Sequence, residues 1–305
     1  MRRLCLNIGF FLFSLVVASP TFGIGAEPVP VFVSIVPQKY FAQKIGGELI
    51  KVSVMVKPGA SPATYEPKPN QMVALSKAKI YCAIGVPFER VWLKKISAAN
   101  PKMLIVHTEK GIEKRPMKAH HHEEGNHKTL EKGRQGPADE HQGIMDPHIW
   151  LSPPLVKIQA RNILNALLLV DPRHGSIYES NYNKFIVELD ALDAHIRGVF
   201  AGKGERVAFM VFHPAWGYFA QTYGLHQIAV EIEGKEPRPA DLKHLIHDAE
   251  ERGIKVIFVQ PEFSTKSAKA IARAIGGQVV LANPLAPDWA SNLKEMASKF
   301  KAALR

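Results

Sequence analysis

"KIYCAIGVPFERVWLKKISAANPKMLIVH" (residues 79–107) reads as a strand, a helix and a second strand. "KIYCAIG" is a short continuous apolar run. It has no polar alternation, as a strand buried on both faces requires, and parallel sheets covered by helices on both sides are built from such strands. "VPFERVWLKKISAAN" follows with a helical pattern that opens on a proline, and "MLIVH" returns to strand. A strand–helix–strand unit of this kind commits the chain to an α/β fold.

Working outward, the same alternation extends toward the N-terminus. "VPVFVSIV" precedes the helical "PQKYFAQKIGG", "KVSVMV" ends in the turn "KPGASP", and "QMVALSKA" reads as helix. The pattern restarts late in the chain. "RVAFMVF", "HQIAVEI", "KVIFVQ" and "QVVLA" are strands; "PAWGYFAQTYG", "PADLKHLIHDAEERG", "STKSAKAIARAIGG" and "WASNLKEMASKFKAAL" are helices. Between the two halves, Tyr178, Tyr182, Phe185, Leu189, Leu192, Ile196 and Val199 recur at alternating spacings of four and three. They mark one face of a helix roughly 25 residues, or about 38 Å, long. The expected architecture is α/β, with two βαβα lobes of mostly parallel strands joined by a long rigid helix. Ligands of open parallel sheets sit beyond the carboxyl ends of the strands, which places a site in the cleft between the lobes.

The first residues do not belong to this fold. Arg2 and Arg3 precede an apolar run from Leu4 to Val17, then small residues and Pro20, which is the pattern of a cleaved secretory signal. The expected division is a signal over 1–26, an N-terminal lobe over 27–152, connecting helices over 153–203 and a C-terminal lobe over 204–305. The formal charge of +11 falls to +9 once Arg2 and Arg3 are lost. Lysines and arginines are scattered rather than interleaved with aromatics, so no nucleic acid is expected as a partner. Cys5 lies within the signal, and Cys82, inside "AKIYCAIG", is expected to be a small buried residue.

"KAHHHEEGNHKTLEKGRQGPADEHQG" (118–143) interrupts the first lobe with His120, His121, His122, His127 and His141, and without an aromatic residue. Imidazoles on such a stretch are candidate metal ligands; the alternative is a solvated insertion. His107, His174, His195, His226, His244 and His247 are each weak signals. His148 in "DPHIWLSP" and His213 in "FHPAWGYF" are different, because prolines and aromatics fix the backbone around a single imidazole at a strand end.

"PGASPATYEPKP", "DPHIWLSPP", "FHPAWGYFAQTYGLHQIAVEIEGKEPRPADL" and "NPLAPDWASNL" together resemble the zinc- and manganese-binding family of periplasmic solute-binding proteins, over nearly the whole mature chain. The resemblance implies a carrier without catalytic activity, monomeric, located in the periplasm, that hands a metal to an ABC permease in the inner membrane. Zinc is the expected cargo, with manganese as the alternative. The family's ligand positions fall here on Ala63, His148, His213 and Asn283. Alanine offers no donor and asparagine only a neutral oxygen, where histidine and aspartate are the family's usual residues. Glu262, in "VQPEFS", is expected to restore the charge lost at Asn283, and a loop histidine to replace the missing imidazole. Two other classes remain: a zinc buffer or adhesin-like protein using the loop alone, and an exported zinc hydrolase. The second lacks a His-Glu-x-x-His helix and a nucleophile elbow.

Overall fold

A computed structural model describes residues 27–117, 145–204, 207–232 and 234–304. Residues 1–26, read from the sequence as a signal, and the histidine-rich stretch, with His120, His121, His122, His127 and His141, lie outside the described residues.

The first sheet is formed by β1 (Val29–Val33), β2 (Ile50–Val54), β3 (Ile80–Ala83) and β4 (Leu104–His107), in the order β2-β1-β3-β4. The second contains β5 (Val207–Val211), β6 (Leu225–Ala229), β7 (Val256–Val259) and β8 (Gln278–Leu281), in the order β6-β5-β7-β8. Every pairing is parallel. The fold is therefore the expected pair of α/β lobes, each with the same strand order. In each sheet the chain turns back across its first strand, so the switch of direction lies between β1 and β3 in one lobe and between β5 and β7 in the other. Crevices form at the carboxyl ends of such strands.

The apolar runs are buried as their composition requires: all of β3 is buried, and so are Val31, Phe32 and Val33 of β1. The intervening helices of the first half are α1 (Val36–Gly46), α2 (Pro69–Leu75), α3 (Pro87–Ala99) and α4 (Pro153–Val170). Each carries proline in its first turn, where the missing N–H costs nothing and the fixed φ suits the helix.

The long helix is α5 (Gly175–Phe200), 26 residues and about 39 Å. Tyr178, Tyr182, Phe185, Leu189, Leu192 and Ile196 are buried along it, as their spacing foretold. At its end Phe200 is buried, and Val199 only partly so, because the stripe advances four residues from Ile196 rather than three. Its first half is tied to α1: Asn181 Nδ2 donates to the Ile45 carbonyl at 3.1 Å, and Lys44 pairs with Glu188 at 2.6 Å. Its second half is tied to the other lobe, where the Tyr223 hydroxyl donates to Asp193 at 3.1 Å and Arg197 to the Thr222 carbonyl at 3.3 Å.

The second lobe adds α6 (Gly217–Thr222), α7 (Pro239–Glu251), α8 (Lys266–Ala274) and α9 (Trp289–Ala303). Helix α6 starts three residues later than "PAWGYFAQTYG" suggests. The backbone of His213 is bonded to Gln260, with the His213 N–H donating to Oε1 at 3.1 Å and Nε2 donating to the His213 carbonyl at 2.7 Å, so the chain turns before it coils. Helix α9 spans both lobes as well: the Trp289 ring meets Phe41 of α1 edge-on at 4.9 Å, while Phe300 stacks on Phe209 of β5 at 4.3 Å. Among the described residues, no helix is long and apolar enough to cross a membrane.

Candidate metal site

His213 follows β5 and Glu262 follows β7, on either side of the second lobe's switch point. His148 comes from the stretch after the histidine-rich insertion, just before a 3-10 turn at Ile149–Leu151. These three residues line one small cavity of about 60 Å³, and the first lobe closes it with Ser61, Pro62 and Ala63 from the loop after β2 and Val86 and Pro87 after β3. The loop around Gly85 is held by Glu89, whose carboxylate accepts the Gly85 N–H at 2.7 Å and the Ile84 N–H at 3.1 Å.

The two imidazoles converge. The Nε2 atoms of His148 and His213 are 3.3 Å apart. Each ring is anchored through its other nitrogen, His148 Nδ1 to Asp146 Oδ1 at 2.8 Å and His213 Nδ1 to Glu231 Oε1 at 2.7 Å. A carboxylate acceptor at Nδ1 puts the proton there and leaves Nε2 with a free lone pair. Two lone pairs facing each other at this distance repel unless a cation lies between them. Two nitrogens each about 2.0–2.1 Å from one tetrahedral ion lie roughly 3.3–3.4 Å apart, so the pair has the bite of a zinc chelate. Burial pushes the His148 ring below its ordinary pKa, against the upward pull of Asp146, and so favours the neutral, metal-ready form. Phe263 stacks on His213 at 4.7 Å with the planes 18° apart, and Trp150 lies 5.1 Å from the His148 ring, so neither imidazole is free to swing.

The other sequence candidates divide. Glu262 reaches the cavity wall; burial raises its carboxyl pKa, with the neighbouring His213 acting in the opposite sense. Asn283 is not brought to the cavity. Its Oδ1 accepts the Leu285 N–H at 2.9 Å and its carbonyl accepts Asn292 Nδ2 at 2.9 Å, which uses the residue to shape its own turn. Ala63 lines the cavity but has no side-chain donor to offer. Among the described residues, no cluster of three or more His, Cys, Asp and Glu converges on one point. Two imidazoles are therefore preset and Glu262 stands at the wall beside them. Elsewhere, His107, His174 and His247 pair with Glu109, Asp171 and Glu251.

Asp146 and Glu231 carry the orientation of the site and were not singled out from the sequence. Asp146 sits within the same "DPH" motif as His148. Glu231 lies just past the end of β6, a position that the strand-end rule covers but that "HQIAVEI", read as strand throughout, conceals.

The family described as zinc-uptake complex component A, periplasmic, matches residues 31–303. The high-affinity zinc uptake system protein ZnuA of Bacillus subtilis (strain 168) is 29% identical over 85% of this chain and 79% of its own length. The iron-binding protein YfeA of Yersinia pestis is 28% identical over 78% of this chain and 71% of its own. A crystal structure of ZnuA superposes with a TM-score of 0.81 at 42% identity, covering 91% of this chain and all of the other (100%). A zinc-bound 138–173 deletion mutant of ZnuA gives 0.80 at 42% identity, with 91% and 98% covered.

Proposed function

From the chain's membership of the zinc-uptake complex component A family, the metal-binding solute-binding proteins of ABC uptake systems, we propose that it captures Zn²⁺ in the interlobe cleft and delivers it to an inner-membrane permease. The observation that carries this reading is the 3.3 Å separation of two Nε2 atoms whose partner nitrogens are both held by carboxylates. Imidazole donors suit zinc better than the harder manganese ion. His148 and His213 are the principal ligands, and Glu262 supplies a carboxylate after a change of rotamer. Asn283 acts on the turn rather than on the ion. The fourth position is left to water or a further donor. Such a site holds cargo rather than performing catalysis. The protein works in the periplasm as a monomer, after export and loss of its signal segment.

Calorimetric titration of the metal-free protein tests the reading. Zinc should bind one tight site and out-compete manganese. His148→Ala and His213→Ala should each weaken binding by two orders of magnitude or more, and Glu262→Ala by about tenfold, in keeping with the roughly 10–100-fold effect of groups that support a metal site. Near-native affinity in the double histidine variant would remove the cleft as the metal site. Tighter binding of manganese would reverse the choice of cargo.

A further inference from the structure

His148 precedes the connecting helices in sequence, yet its polar attachments run to the second lobe. The Tyr218 hydroxyl of α6 donates to the Asp146 carbonyl at 3.1 Å and itself accepts the Arg115 N–H at 3.0 Å. Arg115 Nη1 donates to the Gly217 carbonyl at 2.7 Å, at the start of the same helix. Thr222 Oγ1 donates to the Tyr218 carbonyl at 2.7 Å, so in the 2.9 Å contact between Ser152 and Thr222 it is the serine that donates. On the other flank, Trp150 Nε1 donates to the Pro284 carbonyl and Trp289 Nε1 to the Trp150 carbonyl, both at 2.8 Å. Toward the first half of the chain, the Asp146 N–H donates to the Arg115 carbonyl at 2.8 Å, and Arg115 is itself held by α6; among the described residues, no hydrogen bond joins residues 146–152 to residues 27–114.

We infer that the second lobe carries both imidazoles as one rigid chelating pair, with Tyr218 and Thr222 as positioning residues for His148 and the first lobe supplying a wall that holds neither imidazole nor carboxylate. This rests on the cleft being the metal site. The clasp acts from both sides of His148: α6 grips the chain at Asp146 and Ser152, and the turn before α9 grips it at Trp150. Asp146 in turn orients the ring through Nδ1. Both imidazoles are then preset on one body before the ion arrives. The ordering cost is met when the protein folds rather than when the ion binds.

The test compares Tyr218→Phe, Thr222→Val and Thr222→Ser with His213→Ala. Zn²⁺ affinity, the visible absorption of bound Co²⁺ and the thermal midpoint in chelator are measured for each. Tyr218→Phe loses the hydroxyl that bridges Arg115 and Asp146; Thr222→Val loses the partner of Ser152. Both should weaken zinc about tenfold, the lower end of the range for groups behind a metal ligand, and alter the tetrahedral Co²⁺ bands. Thr222→Ser keeps the hydroxyl and should restore both. Wild-type affinity and spectrum in Tyr218→Phe and Thr222→Val, with binding lost in His213→Ala, would overturn the clasp while leaving the site intact. Wild-type affinity in His213→Ala would overturn the cleft site, and the clasp with it. Should Tyr218→Phe fail to fold, the Thr222 pair decides alone.

Discussion

At residue 63 the first lobe lines the cavity with an alanine, where the family resemblance leads one to expect an imidazole. Ala63→His should therefore add a donor from the wall opposite His213 and tighten zinc by tenfold or more. Structural zinc sites reach roughly 10–16 kcal/mol from about four ligands, so one further bond is a large share if its geometry is good. A dissociation constant unchanged from wild type would mean that the side chain at 63 does not reach the ion. The histidines themselves were legible in the sequence, because proline and aromatic neighbours at strand ends mark a backbone held for a purpose. The fate of Asn283 was not. Whether its oxygen faces an ion or the N–H of Leu285 depends on the turn it helps to make, and no spacing rule reports that.

Elements were legible where burial alone decides them. "KIYCAIG" needed only its unbroken apolar character to be read as a covered parallel strand, and β3 is buried throughout. The start of α6 was not, because the bonds between His213 and Gln260 that delay it bring together residues 47 apart in sequence. The joint between α4 and α5 makes its own prediction. Asp171 Oδ2 accepts His174 Nδ1 at 2.6 Å and the Tyr178 hydroxyl at 2.8 Å. Burial by itself would raise the Asp171 carboxyl, but these two hydrogen bonds outweigh it and hold the group below its ordinary value. A depressed carboxyl contributes stability above its unfolded pKa of about 3.9, and that contribution is lost as the pH falls through the folded value. Asp171→Asn should accordingly lower the melting temperature at pH 7, and the gap to wild type should close toward pH 3. A gap of equal size at both pH values would show that the joint does not depend on the charge.

For the molecule as a whole, the largest apolar cluster runs without a break from Val31 and Phe41 of the first lobe, along α5, to Phe209 and Phe300 of the second. A second cluster, with Ile257 and Ile271, covers the other face of the second sheet. Two lobes sharing one core should melt together. Leu189→Ala, at a fully packed point of α5, should cost about 2–5 kcal/mol and shift a single transition downward. Two resolved calorimetric peaks, in wild type or variant, would show that the lobes unfold separately. The placement of Trp150 also gives the protein an optical property. Its indole lies 5.1 Å from the His148 ring and is shielded from solvent. An imidazolium beside an excited indole quenches it by accepting an electron, whereas an imidazole bound to zinc, an ion without redox chemistry, does not. Because burial holds the His148 ring below its ordinary pKa, zinc should brighten the tryptophan emission only at a pH below the usual imidazole range, where the empty site is protonated, and Trp150→Phe should abolish the change while the other three indoles stay dark to the ion. An undiminished response in that variant would assign the signal elsewhere; otherwise the carrier's own fluorescence measures how full it is.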